Sequence, residues 1–257
     1  TADDFIERVW SRVTHRTKVL FLSHLTSATA LAFPVRELCR RAREAGILSI
    51  IDGAHVPAHL PLDLADLDPD IYTGALHKWL CAPKGCSFLY ARSELQPMLA
   101  PLVVSWGWES DHPGLSQFID VHEWQGTRDL SPFLAVGAAL DFALSHDLPG
   151  AQQRAHVMAL DARARIDALT GLAPISPQSD PGPDGHQWIG QMVAVRLPAG
   201  TNTVELKDRL FREHRIEVPV HEWNGEPLVR VSCAAHTEPT DIDALIEALA
   251  SLLPGLR

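Results

Sequence analysis

Short apolar runs alternate with amphipathic stretches in the first third of the chain. Residues 3–13 and 35–46 carry apolar side chains at helical spacing, whereas the runs between and after them are much shorter. Short apolar runs bounded by polar or glycine residues are typical of strands that are buried on both faces of a sheet. The predicted strands are 19–23, 47–51, 71–73 and 85–90. The pattern therefore predicts an α/β fold, with a mainly parallel sheet flanked by helices.

The middle of the chain is predicted to be helical. Ser131 and Pro132 suit a helix start, and a second helix is expected over 151–169. The apolar residues of the first helix recur on one side, which we expect to be buried. These residues are Phe133, Leu134, Val136, Leu140 and Leu144.

The pattern changes after a stretch rich in Pro, Gly, Ser and Asp at 174–185. This stretch predicts a boundary between a large domain, residues 1–173, and a small C-terminal domain, residues 174–257. The predicted strands of the small domain are 191–197, 216–220 and 228–232, and its predicted helices are 204–214 and 240–253. Such a mixture predicts a small α+β lobe.

Composition excludes several classes of partner. The formal net charge of −10 argues against binding to nucleic-acid phosphates, which requires clustered Lys and Arg. The sequence has no apolar run long enough for a membrane-spanning helix. Its four cysteines show neither the spacing of a metal site nor a disulfide framework, so we expect a reducing, cytoplasmic setting. Because the chain opens at Thr1 inside a helical pattern, further sequence is expected upstream, where a targeting peptide would lie.

Asp52 and Lys78 are the first candidates for chemistry. Asp52 directly follows a buried apolar strand, where an unpaired charge is costly, so it needs a cationic partner. A protonated pyridine nitrogen is one such partner, and a helix cap or a structural ion pair is the alternative. Lys78 precedes Trp79 and Leu80 in an apolar setting that favours the neutral, nucleophilic amine. Both residues follow predicted strands, so they are expected to lie at the same edge of the sheet.

Five motifs are spread over nearly the whole chain. They are TSATALAFPV (26–35), IDGAH (51–55), YTGALHKWLCAPKG (72–85), WQGTRD (124–129) and LVRVS (228–232). In this order they resemble the class V aminotransferase family of pyridoxal-phosphate (PLP) enzymes with fold type I, most of all the isopenicillin N epimerase-like branch.

The resemblance implies a role for each matching residue. Lys78 would form the Schiff base with PLP, and Asp52 would pair with the pyridinium nitrogen. His55, with Ser27 or Thr26, would lie near the phenolic oxygen of the cofactor. Two further residues would bind phosphate, His77 in the same chain and Thr127 across a homodimer. Arg230 would hold the α-carboxylate of an amino-acid substrate, because a guanidinium group suits bidentate binding.

The chain departs from the family pattern at several positions. Ala75 stands where relatives often carry a phosphate-binding side chain, and Ala30 stands where glycine is usual. Ala235 and His236 replace the Tyr-Asn that commonly follows the arginine strand. In that family a further segment precedes the point that matches Thr1 and carries other phosphate contacts. The 257 residues alone are therefore expected to bind PLP weakly or not at all.

Other functions stay open at this point. A cysteine desulfurase needs a thiolate on the loop before the arginine strand, but residues 218–227 contain no cysteine. Epimerase, C–S lyase and transaminase chemistry all begin by weakening a bond at the α-carbon of an amino acid. From another class, Asp52, His55 and His59 have the spacing of a metal-dependent hydrolase site, although Gly53 and Pro57 disfavour a continuous helix there. A PLP-fold protein that has lost catalysis and acts as a binding partner is the last alternative.

Overall fold

The computed structural model describes residues 1–177, 180–182 and 184–256, which form two β-sheets with helices packed against them. In the larger sheet, β1 (Val19–Ser23), β2 (Leu48–Asp52) and β3 (Ile71–Ala75) run parallel. The strand β4 (Ser87–Ala91) pairs antiparallel with β3. The α/β fold and all four predicted strands of this sheet are confirmed, and the strand ends shift by no more than two residues.

Helices connect the strands and cover one face of the larger sheet. The side chains of Val35 and Cys39, in the second helix, pack against Ile51 of β2 and Tyr72 of β3. No helix in the described part of the chain is both long and apolar enough to cross a membrane. The helices are α1 (Ala2–Trp10), α2 (Val35–Glu44), α3 (Leu64–Leu67), α4 (Gln117–Glu123), α5 (Ser131–Leu134), α6 (Val136–Ser145), α7 (Leu148–Thr170), α8 (Thr203–His214) and α9 (Pro239–Leu252).

The smaller sheet is antiparallel and forms the C-terminal lobe. Its strands are β5 (Met192–Arg196), β6 (Val220–Trp223) and β7 (Glu226–Ser232), in the order β5-β7-β6. The long helix α7 contributes Ala155, Ala159, Ala162 and Ile166 to the same core as this sheet, α8 and α9. Of the predicted boundary segment 174–185, residues 178–179 and 183 lie outside the described residues. The position of the boundary stays a prediction.

Two sequence-based expectations are wrong. The predicted strand 216–220 starts only at Val220, because the α8 helix closes with a bond from the Ile216 amide to Leu210, and Pro219 has no N–H to donate. The predicted helix at 131–145 forms as α5 and α6, but its apolar side is not buried: Leu134 and Leu144 are 81% and 79% exposed.

Truncation of Ile166 is expected to destabilise the C-terminal lobe, although Ile166 precedes the predicted boundary. Its side chain is fully buried among residues of that lobe, so Ile166→Ala removes apolar contacts and leaves a cavity. We expect the free energy of unfolding to fall by about 2–5 kcal/mol. Leu169→Ala on the same helix is the matched control, since Leu169 is partly exposed and its loss should cost about 1 kcal/mol or less. Urea unfolding measures the free energy of unfolding of both variants. Equal losses in Ile166→Ala and Leu169→Ala would contradict the burial of Ile166 in this core.

Candidate active site

The ends of two parallel strands and one strand of the smaller sheet place the candidate residues together. Asp52 is the last residue of β2, which lies between β1 and β3 in the sheet. Lys78 lies three residues beyond the end of β3, in the turn that leads towards β4. Arg230 comes from β7 of the other sheet and reaches the loop that follows β1. The structure thus brings Asp52, Lys78 and Arg230 close enough for their charges to act on one another.

Asp52 keeps part of its carboxylate free. Its Oδ1 atom accepts a hydrogen bond from the backbone N–H of Ala54 at 2.9 Å, which orients the side chain. In the described chain, neither oxygen forms an ion pair, and Oδ2 accepts no hydrogen bond. A half-buried carboxylate in this state can still receive a cationic N–H group.

Lys78 is a half-buried amine that makes no hydrogen bond or salt bridge to any described residue. Burial lowers the pKa of Lys78, and the positive charge of Arg230 acts in the same direction, while Asp52 acts against both. The neutral amine that attacks a carbonyl carbon is therefore easier to reach here than on the surface.

Arg230 is a half-buried cation that lacks an anion. Its Nη1 group donates hydrogen bonds to the carbonyl oxygen of Ser27 at 2.7 Å and to the Ser27 hydroxyl at 2.8 Å. Its Nε–H is buried without a hydrogen-bond partner, and among the described residues no carboxylate lies within ion-pair distance. Burial lowers the pKa of Arg230. Because an unpaired buried charge is costly, the free edge of this guanidinium suits an incoming carboxylate.

His55 is held as a neutral ring. Burial lowers its pKa to about 4, helped by the positive charges of Lys78 and Arg230, whereas Asp52 acts in the opposite direction. The indole Nε1–H of Trp79 donates to Nδ1 of His55 at 3.4 Å. Since tryptophan can only donate, Nδ1 must be the acceptor, and the ring hydrogen lies on Nε2. Trp79 was expected only as an apolar neighbour of Lys78, because its contact with His55 depends on a loop that precedes β3.

The other predicted cofactor contacts are spread over the surrounding loops. His77 donates from Nδ1 to the carbonyl oxygen of Cys86 at 3.1 Å, so its Nε2 can donate to a phosphate only when the ring is protonated. Thr26 uses its hydroxyl within its own turn, where it accepts from the Leu31 amide at 3.0 Å. Thr127 lies exposed in the turn beside Gly126 and makes no side-chain hydrogen bond to the described residues. The roles of these three residues stay predictions.

The departures from the family pattern have local consequences. Ala30 adopts a left-handed conformation, with φ of 55°, which explains why glycine is usual at this position. Ala75 is buried at the end of β3 and offers no polar group. Within the described residues, no three His, Cys, Asp or Glu side chains are placed to hold a metal ion, so the hydrolase site at Asp52, His55 and His59 has no support.

Acid is expected to destabilise the protein through buried histidines. Burial lowers the pKa of His24 to about 4, and the charge of His186 adds to this effect. An unfolded histidine titrates near 6.5, so the stability contributed by neutral His24 is complete above that pH and is lost as the pH falls towards 4. The parent protein loses free energy of unfolding between pH 6.5 and 4.5, and His24→Gln should make that loss smaller by about 2 kcal/mol. Urea unfolding at pH 6.5 and at pH 4.5 measures the free energy of unfolding of both proteins. The exposed His15 provides the control, and an equal effect of His15→Gln would contradict the assignment.

Comparisons with known proteins show the family of the chain. The sequence profile of the aminotransferase class V family matches residues 4–185. The chain is 38% identical to the isopenicillin N epimerase of Amycolatopsis lactamdurans, over 97% of this chain and 64% of that protein. It is 28% identical to the hercynylcysteine sulfoxide lyase of Schizosaccharomyces pombe, over 93% of this chain and 60% of that protein. The chain thus spans about three fifths of the length of these relatives.

Solved structures share the fold. The structure superposes on a cysteine desulfurase from Escherichia coli with a TM-score of 0.77 and 21% identity, covering 98% of this chain and 63% of that one. An alanine–glyoxylate aminotransferase from Nostoc sp. gives a TM-score of 0.71 at 19% identity, covering 98% of this chain and 65% of that one. These likenesses confirm the fold-type I architecture that the motifs predicted.

The cluster fits the cofactor that this family uses, PLP. Lys78 offers an unpaired amine for the aldehyde carbon, and the free oxygen of Asp52 offers an acceptor for the ring nitrogen. With its profile matched over 4–185 and epimerase relatives at 38% identity, this chain belongs to the aminotransferase class V family of PLP-dependent enzymes.

Proposed function

We propose that the protein acts on an amino acid, weakening a bond at its α-carbon with PLP as the cofactor. The observation that carries this proposal is the half-buried guanidinium of Arg230, which lacks an anion and acts on the charge of Lys78. An amino-acid substrate supplies what is missing, because its α-carboxylate pairs with the guanidinium while its α-carbon lies towards the amine.

Each residue of the cluster has a distinct task. PLP, when bound, draws electrons away from the bonds at the α-carbon. Asp52 keeps the ring nitrogen protonated, since its free carboxylate oxygen stabilises a cationic N–H group. His55, with its hydrogen on Nε2, is suited to donate to the phenolic oxygen. Ser27 orients Arg230 through two hydrogen bonds, which leaves the other edge of the guanidinium for the substrate.

Lys78 has two tasks in this proposal. Its neutral amine would hold the cofactor by condensing with the aldehyde carbon, which releases water, and the same amine, once free, would take a proton from the α-carbon or return one. A pKa lowered by burial suits both tasks, because an ammonium group can neither attack a carbon nor accept a proton.

Epimerisation is the outcome that we propose first. It is supported by relatives named isopenicillin N epimerase, at 38% identity in both Amycolatopsis lactamdurans and Streptomyces clavuligerus. Elimination comes second, since relatives named L-cysteine desulfhydrase and hercynylcysteine sulfoxide lyase are 26–28% identical. Desulfurase chemistry is disfavoured, because the loop before β7, residues 218–227, has no cysteine, and Cys233 just after β7 is fully buried with its pKa raised to about 11.

We also propose that the protein works as a homodimer in the cytoplasm. The exposed apolar side chains of α5 and α6, such as Leu134 and Leu144, support a surface that a second copy covers, and Thr127 lies in the turn that precedes α5. Four cysteines without disulfides support a reducing setting. Light scattering during size-exclusion chromatography tests the dimer, and a monomeric mass would contradict it.

Reaction in D2O tests the proposed function. The protein is expressed from its whole reading frame, because the 257 residues span only part of the relatives' length, and is incubated with PLP and a panel of amino acids. Incorporation of deuterium at the α-carbon with inversion indicates epimerisation. Release of a keto acid with ammonia indicates elimination, and a keto acid without ammonia indicates transamination. If no amino acid of the panel exchanges its α-proton, the proposal fails.

A further inference from the structure

A buried row of contacts joins His55 to the C-terminal lobe. The Trp79 indole, which donates to His55, packs against the ring of His59 with centroids 4.0 Å apart and planes tilted by 50°. On its far side, Nε2 of His59 accepts the backbone N–H of Gln191 at 2.6 Å. The Gln191 side chain donates to the carbonyl oxygens of Ala58 and His59, at 3.0 and 3.1 Å. Three hydrogen bonds from Gln191 therefore hold the His59 segment.

His59 is almost completely buried and electrically neutral. Burial lowers its pKa to about 3, with the charges of His55 and His156 acting in the same direction and a contact with the His55 backbone acting against them. Because Nε2 accepts from Gln191, the ring hydrogen must lie on Nδ1. The ring is therefore held in one tautomer, with its acceptor nitrogen turned to the C-terminal lobe.

Gly190 explains how the two lobes approach so closely. A Cβ atom added at this position would lie 2.4 Å from Nε2 of His59, far inside contact distance. The carbonyl oxygen of Gly190 accepts a hydrogen bond from Nδ1 of His156 on α7 at 3.0 Å, so α7 also holds the backbone at this position. A larger residue at 190 would therefore force the His59 ring, the Leu60 side chain or the backbone at 190 to move.

We propose that Trp79 and His59 are positioning residues. In this arrangement the C-terminal lobe, through Gly190 and Gln191, presses His59 onto Trp79, and Trp79 in turn keeps Nδ1 of His55 as a hydrogen-bond acceptor. The hydrogen of His55 is thereby kept on Nε2, the atom left free for the site. The use of that hydrogen towards the cofactor rests on the proposed function, but the arrangement itself does not.

Gly190→Ala tests the arrangement by NMR on the protein expressed from its whole reading frame, without cofactor. The indole N–H signal of Trp79 is identified by its loss in Trp79→Phe. We expect Gly190→Ala to shift this signal and to speed the exchange of its hydrogen with water, because the displaced His59 ring moves the indole off His55. Gly137→Ala is the matched control, since a Cβ atom at Gly137 meets nothing within 4 Å.

The titration of His55 provides the second measurement. Protonation of Nδ1 must break the bond from Trp79, so Trp79→Phe and Gly190→Ala should each raise the pKa of His55 by roughly 0.5 to 1. The charges that act on this ring, Lys78, Arg230 and Asp52, are unchanged in both variants. If Gly190→Ala does not fold, His59→Phe keeps an aromatic ring, removes the acceptor of the Gln191 amide, and should shift the same signal.

The outcomes separate this inference from the proposed function. An unmoved Trp79 signal together with an unchanged His55 titration, in folded Gly190→Ala or His59→Phe, overturns the positioning roles and leaves the function untouched. Failure of all amino acids to exchange in D2O overturns the function and leaves the NMR result standing, because the NMR measurement needs neither cofactor nor substrate.

Discussion

Lys78→Ala should remove the visible absorbance band that borohydride reduces in the protein loaded with PLP, and should lower turnover by about 10²- to 10⁴-fold or more. The reason is that the variant loses both the amine that attaches the cofactor and the group that moves the α-proton. Lys78 is a half-buried amine whose pKa is lowered by burial and by the charge of Arg230, against the effect of Asp52. Absorbance spectra before and after reduction, with steady-state rates, measure the two losses separately.

Lys84→Ala is the matched control for this experiment. Lys84 belongs to the same sequence motif but is exposed in the turn before β4, so its removal should change neither the band nor the rate. A reducible band that persists in Lys78→Ala, or disappears in Lys84→Ala, would show that Lys78 is not the attachment site.

Arg230→Ala should raise KM for the amino-acid substrate by about 30- to 4000-fold, because removing one partner of a buried charge pair costs about 2–5 kcal/mol of binding free energy. Arg230 lacks an anion in the described structure, so the substrate carboxylate has no rival for it. Arg230→Lys keeps the charge but loses the bidentate geometry, and should recover only part of the affinity. Steady-state kinetics with one amino acid measure KM for the parent protein, Arg230→Ala and Arg230→Lys.

Arg196 offers a control from the neighbouring strand. It pairs with Glu226 on the surface of the C-terminal lobe, so Arg196→Ala should leave KM within about twofold, since surface ion pairs contribute little. An unchanged KM in Arg230→Ala would contradict the carboxylate-binding role and would move the substrate site away from β7.

The sequence-based prediction was most accurate where neighbouring residues decide the structure. The strands of the larger sheet are short apolar runs that end in polar residues, so β1 and β2 were located within one residue at each end. Prediction was poorer where distant parts of the chain decide burial. The apolar side of α6 follows a helical pattern, but Leu140 and Leu144 are exposed because no described element packs on them.

The candidate site shows the same difference between local motifs and contacts that join distant residues. Lys78 and Asp52 were recognised because each lies in a local motif at the end of a strand, and the sheet order then confirms that β2 and β3 are neighbours. The bond between Arg230 and Ser27 joins residues 203 positions apart, and no local pattern carries that information.

The sequence by itself determined the family, the cofactor and the α/β order of elements, because motifs and hydrophobic periodicity are properties of adjacent residues. Only the tertiary structure decided which polar atoms are satisfied and which remain free. The neutral state of His55, the bond from Trp79 that places its hydrogen, and the close approach of Gly190 to His59 all depend on packing between segments that are distant in the sequence. Burial and hydrogen-bond partners arise when distant segments pack together, so the chemistry of these residues is set by the fold.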